Sequence, residues 1–215
     1  MSDQSVSGLD VSIVKGMLTA VCDKIVSNCD YLTQIDLKIG DGDHGEGMTR
    51  GFKAVKKALE ASEFDTVNNL FLEVGTGLLD SMGGASGVIF GTLFISGNLG
   101  MDDFTALTTD RLSVMLRKGF EAIRERGKAQ LGDKTMLDAL YPAVCAVERA
   151  AADGINICDA IGLAYNGAKA GVEDTKGMEA KKGRARHFRD KSIGYQDAGA
   201  TSVMLIFEAM AEYIG

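Results

Sequence analysis

The chain has 215 residues, 46% hydrophobic and 25% charged, a composition typical of a globular protein and not of a disordered chain. Its 23 basic and 30 acidic residues give a formal net charge of −7, which argues against nonspecific nucleic-acid binding. No run approaches 18 apolar residues and the first ten residues are polar, so neither a membrane-spanning helix nor a signal peptide is predicted.

Helical periodicity dominates the sequence. Apolar residues recur at three- and four-residue steps over residues 11–26, and the same pattern appears near 46–62, 66–82, 85–99, 103–126, 135–152, 156–174 and 199–214. Two-residue alternation is not sustained, and mostly short joints favour antiparallel neighbours. The sequence therefore predicts an all-α, up-and-down assembly of about eight helices that forms one domain over residues 1–215.

Glycine and cysteine usage adds two expectations. The chain has 27 Gly but a single Pro, and Gly inside a helix costs about 0.5–1 kcal/mol relative to Ala. We therefore expect the glycines at helix ends, in ligand loops and at close helix crossings. The four cysteines form no CxxC pair and His is scarce, so a zinc site is not predicted, and a reducing cytoplasm fits.

The first break in the helical period, residues 36–47, holds three carboxylates on Asp36, Asp41 and Asp43 with glycines between them. Close carboxylates repel each other unless a cation lies among them. The EF-hand template fails, because the fifth position counted from Asp41 is Gly45. Mg²⁺ takes few protein carboxylates and completes its coordination with water and phosphate oxygens, so the motif predicts a metal–nucleotide site. An Asp-Gly turn with helix-capping aspartates is the alternative.

Two glycine-rich segments precede predicted helices. Residues 81–87 (SMGGASG) place small residues at a helix start, where backbone amides favour an anion. A close helix crossing would give the same pattern. Residues 127–135 (GKAQLGDKT) nearly match a P-loop, but Asp133 intrudes and no strand precedes them. The segment therefore predicts either a nucleotide-contacting loop or a glycine joint before a helix capped by Thr135 and Asp138.

The second break, residues 175–197, has little periodicity and carries six basic residues between Lys181 and Lys191. A long irregular segment inside a compact domain is uncommon and often functional. Arg184 is a candidate for neutralising phosphate charge. Asp197, with Gly199 at a helix start, is a candidate for capping that helix or for holding a ribose or purine edge. A mobile surface loop is the alternative.

These segments, taken together and in this order, resemble the nucleotide-binding L subunit of dihydroxyacetone kinase. The residues that carry the resemblance are IGDGDHG, MGGASG, GDKTMLDAL with the following PA, GRA, and the SIG, QD and GATS of residues 192–202. The match extends from about residue 9 to residue 214. The resemblance implies an eight-helix antiparallel barrel with ADP or ATP and one or two Mg²⁺ at one end.

Site residues follow from the resemblance position by position. It implies Mg²⁺ ligands at Asp36, Asp41 and Asp43. It implies nucleotide contacts at His44, Gly45, Glu46, Gly47, Ala85, Ser86, Gly127, Met136, Arg184, Asp197, Ala198 and Gly199. Arg184 and His44 are the expected catalytic residues: the first would offset charge on the transferred phosphoryl group, and the second would donate to phosphate.

The resemblance also implies partners. In the family, phosphoryl passes from this subunit to dihydroxyacetone held covalently by a separate K subunit. Some members keep ADP, which a phosphotransferase-system M subunit recharges, and others use ATP. We therefore predict a cytoplasmic phosphotransferase subunit that acts on a small ketose with a K-type subunit, and without nucleic acid or membrane. The M-type phosphocarrier and a homodimer are left open.

Four residues depart from the family pattern: Glu46, Gly47, Tyr195 and Ala198. They leave the acidic motif intact, but they leave open the phosphoryl donor, the partner and the ketose. Two other functions stay as alternatives. One is a fatty-acid-kinase-like domain, which shares the aspartate-rich site. The other is a regulatory module whose nucleotide state a partner protein senses.

Overall fold

Helices account for nearly all regular structure in the computed structural model, which describes residues 8–215. The first seven residues, part of the stretch for which no signal peptide is predicted, lie outside the described range. Within it the nine helices are α1 (Val11–Ser27), α2 (Cys29–Ile39), α3 (His44–Ala61), α4 (Val67–Ser81), α5 (Gly84–Asn98), α6 (Thr109–Gly127), α7 (Met136–Ala152), α8 (Ile157–Thr175) and α9 (Ala198–Ile214). The all-α prediction is confirmed.

Eight of these helices form a closed barrel. Each of α3 to α8 packs against the next helix in sequence, and α1 packs against both α3 and α9, which closes the circle. The remaining helix, α2, lies outside this circle and packs mainly on α3. The side chains inside the barrel form one continuous apolar core that includes Phe52, Phe90 and Phe120.

The sequence did not predict α2. Only two of its residues, Leu32 and Ile39, are buried, so the helix shows little apolar periodicity. Asp36 consequently lies in the last turn of a helix, and the following residues of the acidic motif connect α2 to α3.

The prediction of a helix from residue 103 was wrong for its first six residues. The Asn68 side chain accepts from the Phe104 amide at 2.9 Å, and the Phe104 carbonyl accepts from the Val67 amide at 2.8 Å. The short strand β2 (Ala106–Leu107) then pairs antiparallel with β1 (Leu9–Asp10). These bonds hold the chain extended, and α6 begins only after Thr108, whose side chain caps it.

A very close helix contact lies between α7 and α8. A Cβ added to Gly171 would lie 2.3 Å from the Asp138 carbonyl oxygen, and one added to Gly167 would lie 2.8 Å from the Pro142 carbonyl oxygen. Only residues without a side chain allow this approach. These two glycines therefore serve a close helix crossing, one of the three uses expected from the composition.

No helix among residues 8–215 combines the length and the apolarity that crossing a bilayer requires. The α8–α9 connection, residues 176–197, contains only two short 3₁₀ turns, Ala185–His187 and Arg189–Ser192. It covers the end of the barrel at which the candidate site lies.

Candidate functional site

A cavity of about 1320 Å³ opens at one end of the barrel. Among the described helices, α3, α5, α7 and α9 begin at this cavity, and α2, α4 and α6 end there. A helix start carries unpaired amides and the positive end of the helix dipole. Four helix starts at one cavity therefore give it a fixed preference for negative charge.

The start of α5 is the one best suited to an anion. The amides at the other three starts already have carboxylate or hydroxyl acceptors. Asp36 accepts from the His44 amide at the start of α3, Thr135 caps α7, and Asp197 caps α9. Gly83 precedes α5 with φ +72 and offers no side-chain cap. The first-turn residues, including Ala85 and Ser86, are small and line the cavity, so a phosphate could approach their amides closely.

All three predicted metal ligands line this cavity. The loop before α3 folds around Asp36, whose Oδ2 accepts from the amides of Gly42 at 2.9 Å and His44 at 3.3 Å. Gly42 has φ +80, a conformation that favours glycine. Asp41 pairs with Arg184 across the cavity mouth, with Nε 3.0 Å from Oδ2.

The described residues contain no group of three or more His, Cys, Asp or Glu side chains already gathered to hold a metal ion. The aspartates nevertheless offer hard carboxylate oxygens at the edge of an open, anion-favouring cavity, and such a donor set fits Mg²⁺ completed by phosphate oxygens and water. Metal binding by Asp36, Asp41 and Asp43 thus stays a prediction, and the residues present fit it.

His44, in the first turn of α3, contacts a residue that the sequence did not point to. Its Nε2 lies 2.8 Å from the Ser202 Oγ, which in turn donates to the Ala198 carbonyl at 3.1 Å. The serine hydrogen is thereby engaged, so Nε2 donates to Oγ. Burial lowers the pKa of His44 and the nearby Asp36 opposes that shift. The geometry fixes the ring, and burial favours its neutral form.

One wall of the cavity is apolar. Val88, Ile89 and Phe90 of α5 line it with Ile123, Ala129, Met136 and Leu137 from α6, α7 and the joint between them. Gly127 ends α6 beside Ile89, where an added Cβ would lie 3.4 Å from its Cδ1. An apolar wall next to a charged end suits a ligand with a flat ring and an anionic tail.

Asp197 caps α9, as one of its two predicted roles requires. Its Oδ1 accepts from the Ala200 amide at 2.7 Å. Burial raises the pKa of Asp197 to about 7; Asp138 and Asp36 raise it further, whereas the Ala200 amide and Lys134 lower it. Ala198 and Gly199 line the cavity directly after it.

The structure brings most predicted site residues into this one cavity. Its lining includes Asp36, Asp41, Asp43, His44, Gly47, Ala85, Ser86, Gly127, Met136, Arg184, Asp197, Ala198 and Gly199. Gly45 and Glu46 do not line it. Gly45 is buried between α2 and α3, where an added Cβ would lie 2.3 Å from the Cys29 carbonyl oxygen, and Glu46 is exposed.

The sequence prediction missed two groups at the site, Ser202 and Lys134. Ser202 ends the GATS motif and Lys134 lies in the near-P-loop segment, so both were inside motifs already noted. Their contacts could not be inferred, because each binds residues far away in sequence.

Comparison with known proteins gives concordant matches. The family model described as DAK2 domain matches residues 38–212. The chain is 38% identical over 194 residues to the PEP-dependent dihydroxyacetone kinase, ADP-binding subunit DhaL, of Escherichia coli (strain K12), covering 90% of this chain and 92% of that protein. It is 36% identical over 192 residues to the PTS-dependent dihydroxyacetone kinase, ADP-binding subunit DhaL, of Lactococcus lactis, covering 89% and 92%.

A solved structure shares the fold. The dihydroxyacetone kinase from C. freundii, crystallised in complex with AMP-PNP and Mg²⁺, superposes with a TM-score of 0.74 at 24% sequence identity. The alignment covers 99% of this chain and 36% of that longer chain. The barrel described above is therefore similar to one part of that larger protein.

Proposed function

This chain belongs to the DAK2 domain family, and from that premise we propose that it is the ADP-binding subunit of a dihydroxyacetone-type kinase, a phosphotransferase. The observation that carries the proposal is the single cavity in which four helix starts, three aspartates and an apolar wall meet. A nucleoside polyphosphate with a divalent cation has matching chemistry: a flat base, an anionic tail and a metal for carboxylate oxygens.

Different residues of the chain would bind the base, the phosphates and the metal. The apolar wall around Met136 receives adenine, and the amides at Ala85 and Ser86 bind the phosphate chain. Asp36, Asp41 and Asp43 would hold one or two Mg²⁺, which would neutralise phosphate charge. The remaining proposed contacts are Gly47, Gly127, Asp197, Ala198 and Gly199. Gly45 and Glu46 are left out, because they do not line the cavity.

Phosphoryl transfer depends on positioning and charge neutralisation more than on covalent chemistry of the protein. Arg184 lies at the cavity mouth beside Asp41, where its guanidinium can offset charge on the transferred group. His44 is held by Ser202 with its ring fixed. Because Nε2 donates to Ser202, the ring can donate to a phosphate oxygen only from a protonated Nδ1, that is, as the imidazolium. Neither residue forms a covalent intermediate in this proposal.

The acceptor and the partner follow from the relatives' names, which describe subunits of dihydroxyacetone kinases. We propose that a separate K-type subunit holds a small ketose at the open mouth of the cavity, and that the complex is cytoplasmic. An M-type phosphocarrier or ATP supplies the phosphoryl group. Relatives matched over about nine-tenths of their length favour this function over a fatty-acid-kinase-like domain or a regulatory module.

The substitution Asp41→Asn tests the proposal. It removes one carboxylate from the site without changing the side-chain size. We expect Mg-ADP affinity to fall at least tenfold, equivalent to about 1.4 kcal/mol, measured by titration calorimetry. Phosphoryl transfer to dihydroxyacetone with a purified K-type subunit should fall with it.

Asp110→Asn is the matched control, because this aspartate begins α6 at the opposite end of the barrel. It should leave Mg-ADP affinity unchanged. Equal affinity in the Asp41 variant and the unmodified protein would contradict the proposed site. Tight Mg-ADP binding without transfer from any donor would favour the regulatory module.

A further inference from the structure

Lys134 is a buried residue to which the proposed function assigns no role. Its side chain is 1% exposed, and its backbone has φ +59, a conformation that costs energy for a residue other than glycine. It begins no helix and pairs with no carboxylate at salt-bridge distance within the described residues. A strained, buried lysine needs a compensating interaction.

That interaction is with the α8–α9 connection. Lys134 Nζ donates to the carbonyl oxygens of Met178 at 3.1 Å, Ser192 at 2.6 Å and Tyr195 at 2.6 Å. A neutral amine has only two hydrogens, so three donated bonds require the ammonium form. The three acceptors lie near both ends of the connection, and one ammonium therefore joins its two ends.

Further hydrogen bonds complete the same anchor. The Asp133 carbonyl accepts from the Lys181 amide at 3.0 Å, next to Lys134 in sequence. Ser192 Oγ accepts from the Ala180 amide at 2.9 Å. The Lys176 carbonyl accepts from the Gly194 amide at 2.8 Å. Between these tied ends lie residues 182–191, which include Arg184.

The middle of the connection has no comparable support. Residues 183–191 are exposed or half-buried, and Arg184 reaches the cavity mouth through a largely exposed ion pair with Asp41. An exposed ion pair holds its partners only weakly, because water and salt screen the attraction. The placement of Arg184 therefore depends on how firmly the two ends are held.

We propose that Lys134 is a positioning residue, whose ammonium fixes the α8–α9 connection and thereby places Arg184 at the nucleotide cavity. Its three hydrogens are engaged by carbonyl oxygens, so it has none left for a phosphate. The lysine of this P-loop-like segment therefore binds backbone carbonyl groups, whereas the lysine of a P-loop binds phosphate. The link to Arg184 rests on the proposed function, whereas the anchoring of the connection does not.

The anchoring can be tested by trypsin digestion of the folded protein, because the connection carries six Lys and Arg residues between positions 181 and 191. Lys134→Met keeps an unbranched side chain but leaves three carbonyl oxygens without their donor. We expect cleavage within 181–191 to become at least tenfold faster, as followed by mass spectrometry. Cleavage in the helices should stay slow.

Lys176→Met is the matched control, since the ammonium of Lys176 is partly exposed and, among the described residues, pairs with Glu173 alone. It should digest like the unmodified protein. Lys134→Gln retains two hydrogens and serves where the Met variant does not fold. An unchanged cleavage rate in 181–191 would overturn the proposal, and so would rapid cleavage throughout the chain in both Lys134 variants.

The link to Arg184 is tested by a double-mutant cycle on phosphoryl transfer. Lys134→Met and Arg184→Ala should each lower kcat about tenfold, with a smaller effect on the KM for nucleotide. The double variant should be no slower than the slower single variant, because both changes remove the same group from the site. Multiplying losses would overturn the link. Absence of nucleotide binding by the unmodified protein would instead contradict the proposed function and leave the digestion result standing.

Discussion

Two effects act in opposite directions on the charge state of the Asp197 carboxyl group. As the cap of α9 it accepts a hydrogen bond from the Ala200 amide, which favours the charged carboxylate. Its burial favours the neutral acid, and burial dominates, since the pKa is raised to about 7. The charged groups that act on it are Asp138 and Asp36, which raise the pKa, and Lys134, which lowers it.

This shift predicts a pH dependence of stability. An aspartate raised from 3.8 to about 7 binds a proton in the folded state over a range in which the unfolded chain has lost it. The stability it contributes is present at about pH 4 and is lost as pH rises through 7. Asp197→Asn can still accept the capping bond but cannot titrate.

We therefore expect the free energy of unfolding of the unmodified protein, relative to the Asp197→Asn variant, to fall on the order of 2 kcal/mol between pH 5 and pH 7. Urea unfolding at both pH values measures it, and the other titrating groups cancel in the comparison. Parallel pH profiles for the two proteins would show that Asp197 titrates near its ordinary value.

At the residue scale, local spacing was informative and distant contacts were not. The placement of Asp36, Asp41 and Asp43 at one cavity followed from a short motif, because residues so close in sequence cannot be far apart in space. The bond between His44 and Ser202 joins residues 158 positions apart. No local pattern encodes such a pairing, since it depends on how the barrel closes.

The close packing of α7 and α8 leaves no room for an added methyl group on the face of α8 that contacts α7. Gly171 faces the backbone of α7, and an added Cβ would lie 2.3 Å from the Asp138 carbonyl oxygen and 2.7 Å from the Ala139 Cα. Gly162, on the same helix, has no atom of residues 8–215 within 4 Å of its added Cβ. An added methyl group would therefore meet the α7 backbone at Gly171 and open space at Gly162.

We expect Gly171→Ala to lower the free energy of unfolding by about 1–3 kcal/mol or more, because the rigid backbone of α7 must move. Gly162→Ala should raise it by about 0.5–1 kcal/mol, because alanine favours a helix over glycine. Urea unfolding of both variants measures the pair. Equal effects of the two substitutions would contradict the described contact between α7 and α8.

Element boundaries were predictable where a side chain marks them. Thr135 and Asp138 were expected to cap α7, and the Asp138 Oδ2 accepts from the Thr135 amide at 2.8 Å. Helix α2 and the extended residues 103–108 were not predicted. Polar residues dominate the first, and the second is held by contacts with Asn68 and strand β1, which lie elsewhere in the chain.

The barrel as a whole is closed by its first and last helices. Lys24 of α1 pairs with Glu208 at 2.9 Å and with Glu212 at 3.0 Å, both on α9. Glu208 also accepts from the Tyr165 hydroxyl of α8 at 2.9 Å. The cavity takes its lining from six helices and the α8–α9 connection, so a ligand there contacts most of the molecule at once.

A ligand that binds only the folded barrel must stabilise it. At a free Mg-ADP concentration 100 times Kd, the gain is about 2.7 kcal/mol, which for this chain length raises Tm by about 5–10 °C. Differential scanning fluorimetry with ADP and Mg²⁺ measures the shift. ADP with EDTA should give a clearly smaller shift, and equal shifts with and without the metal would contradict Mg²⁺ binding by the three aspartates.

Helix α9 completes the barrel; with its cap Asp197 it supplies Gly199 to the cavity, and it supplies Ser202 as the partner of His44. During synthesis these residues leave the ribosome after the other eight helices among the described residues. A nascent chain that already holds the three aspartates and the glycine-rich start of α5 still lacks one wall and the partner of His44. The complete nucleotide cavity can therefore form only after α9 has been made.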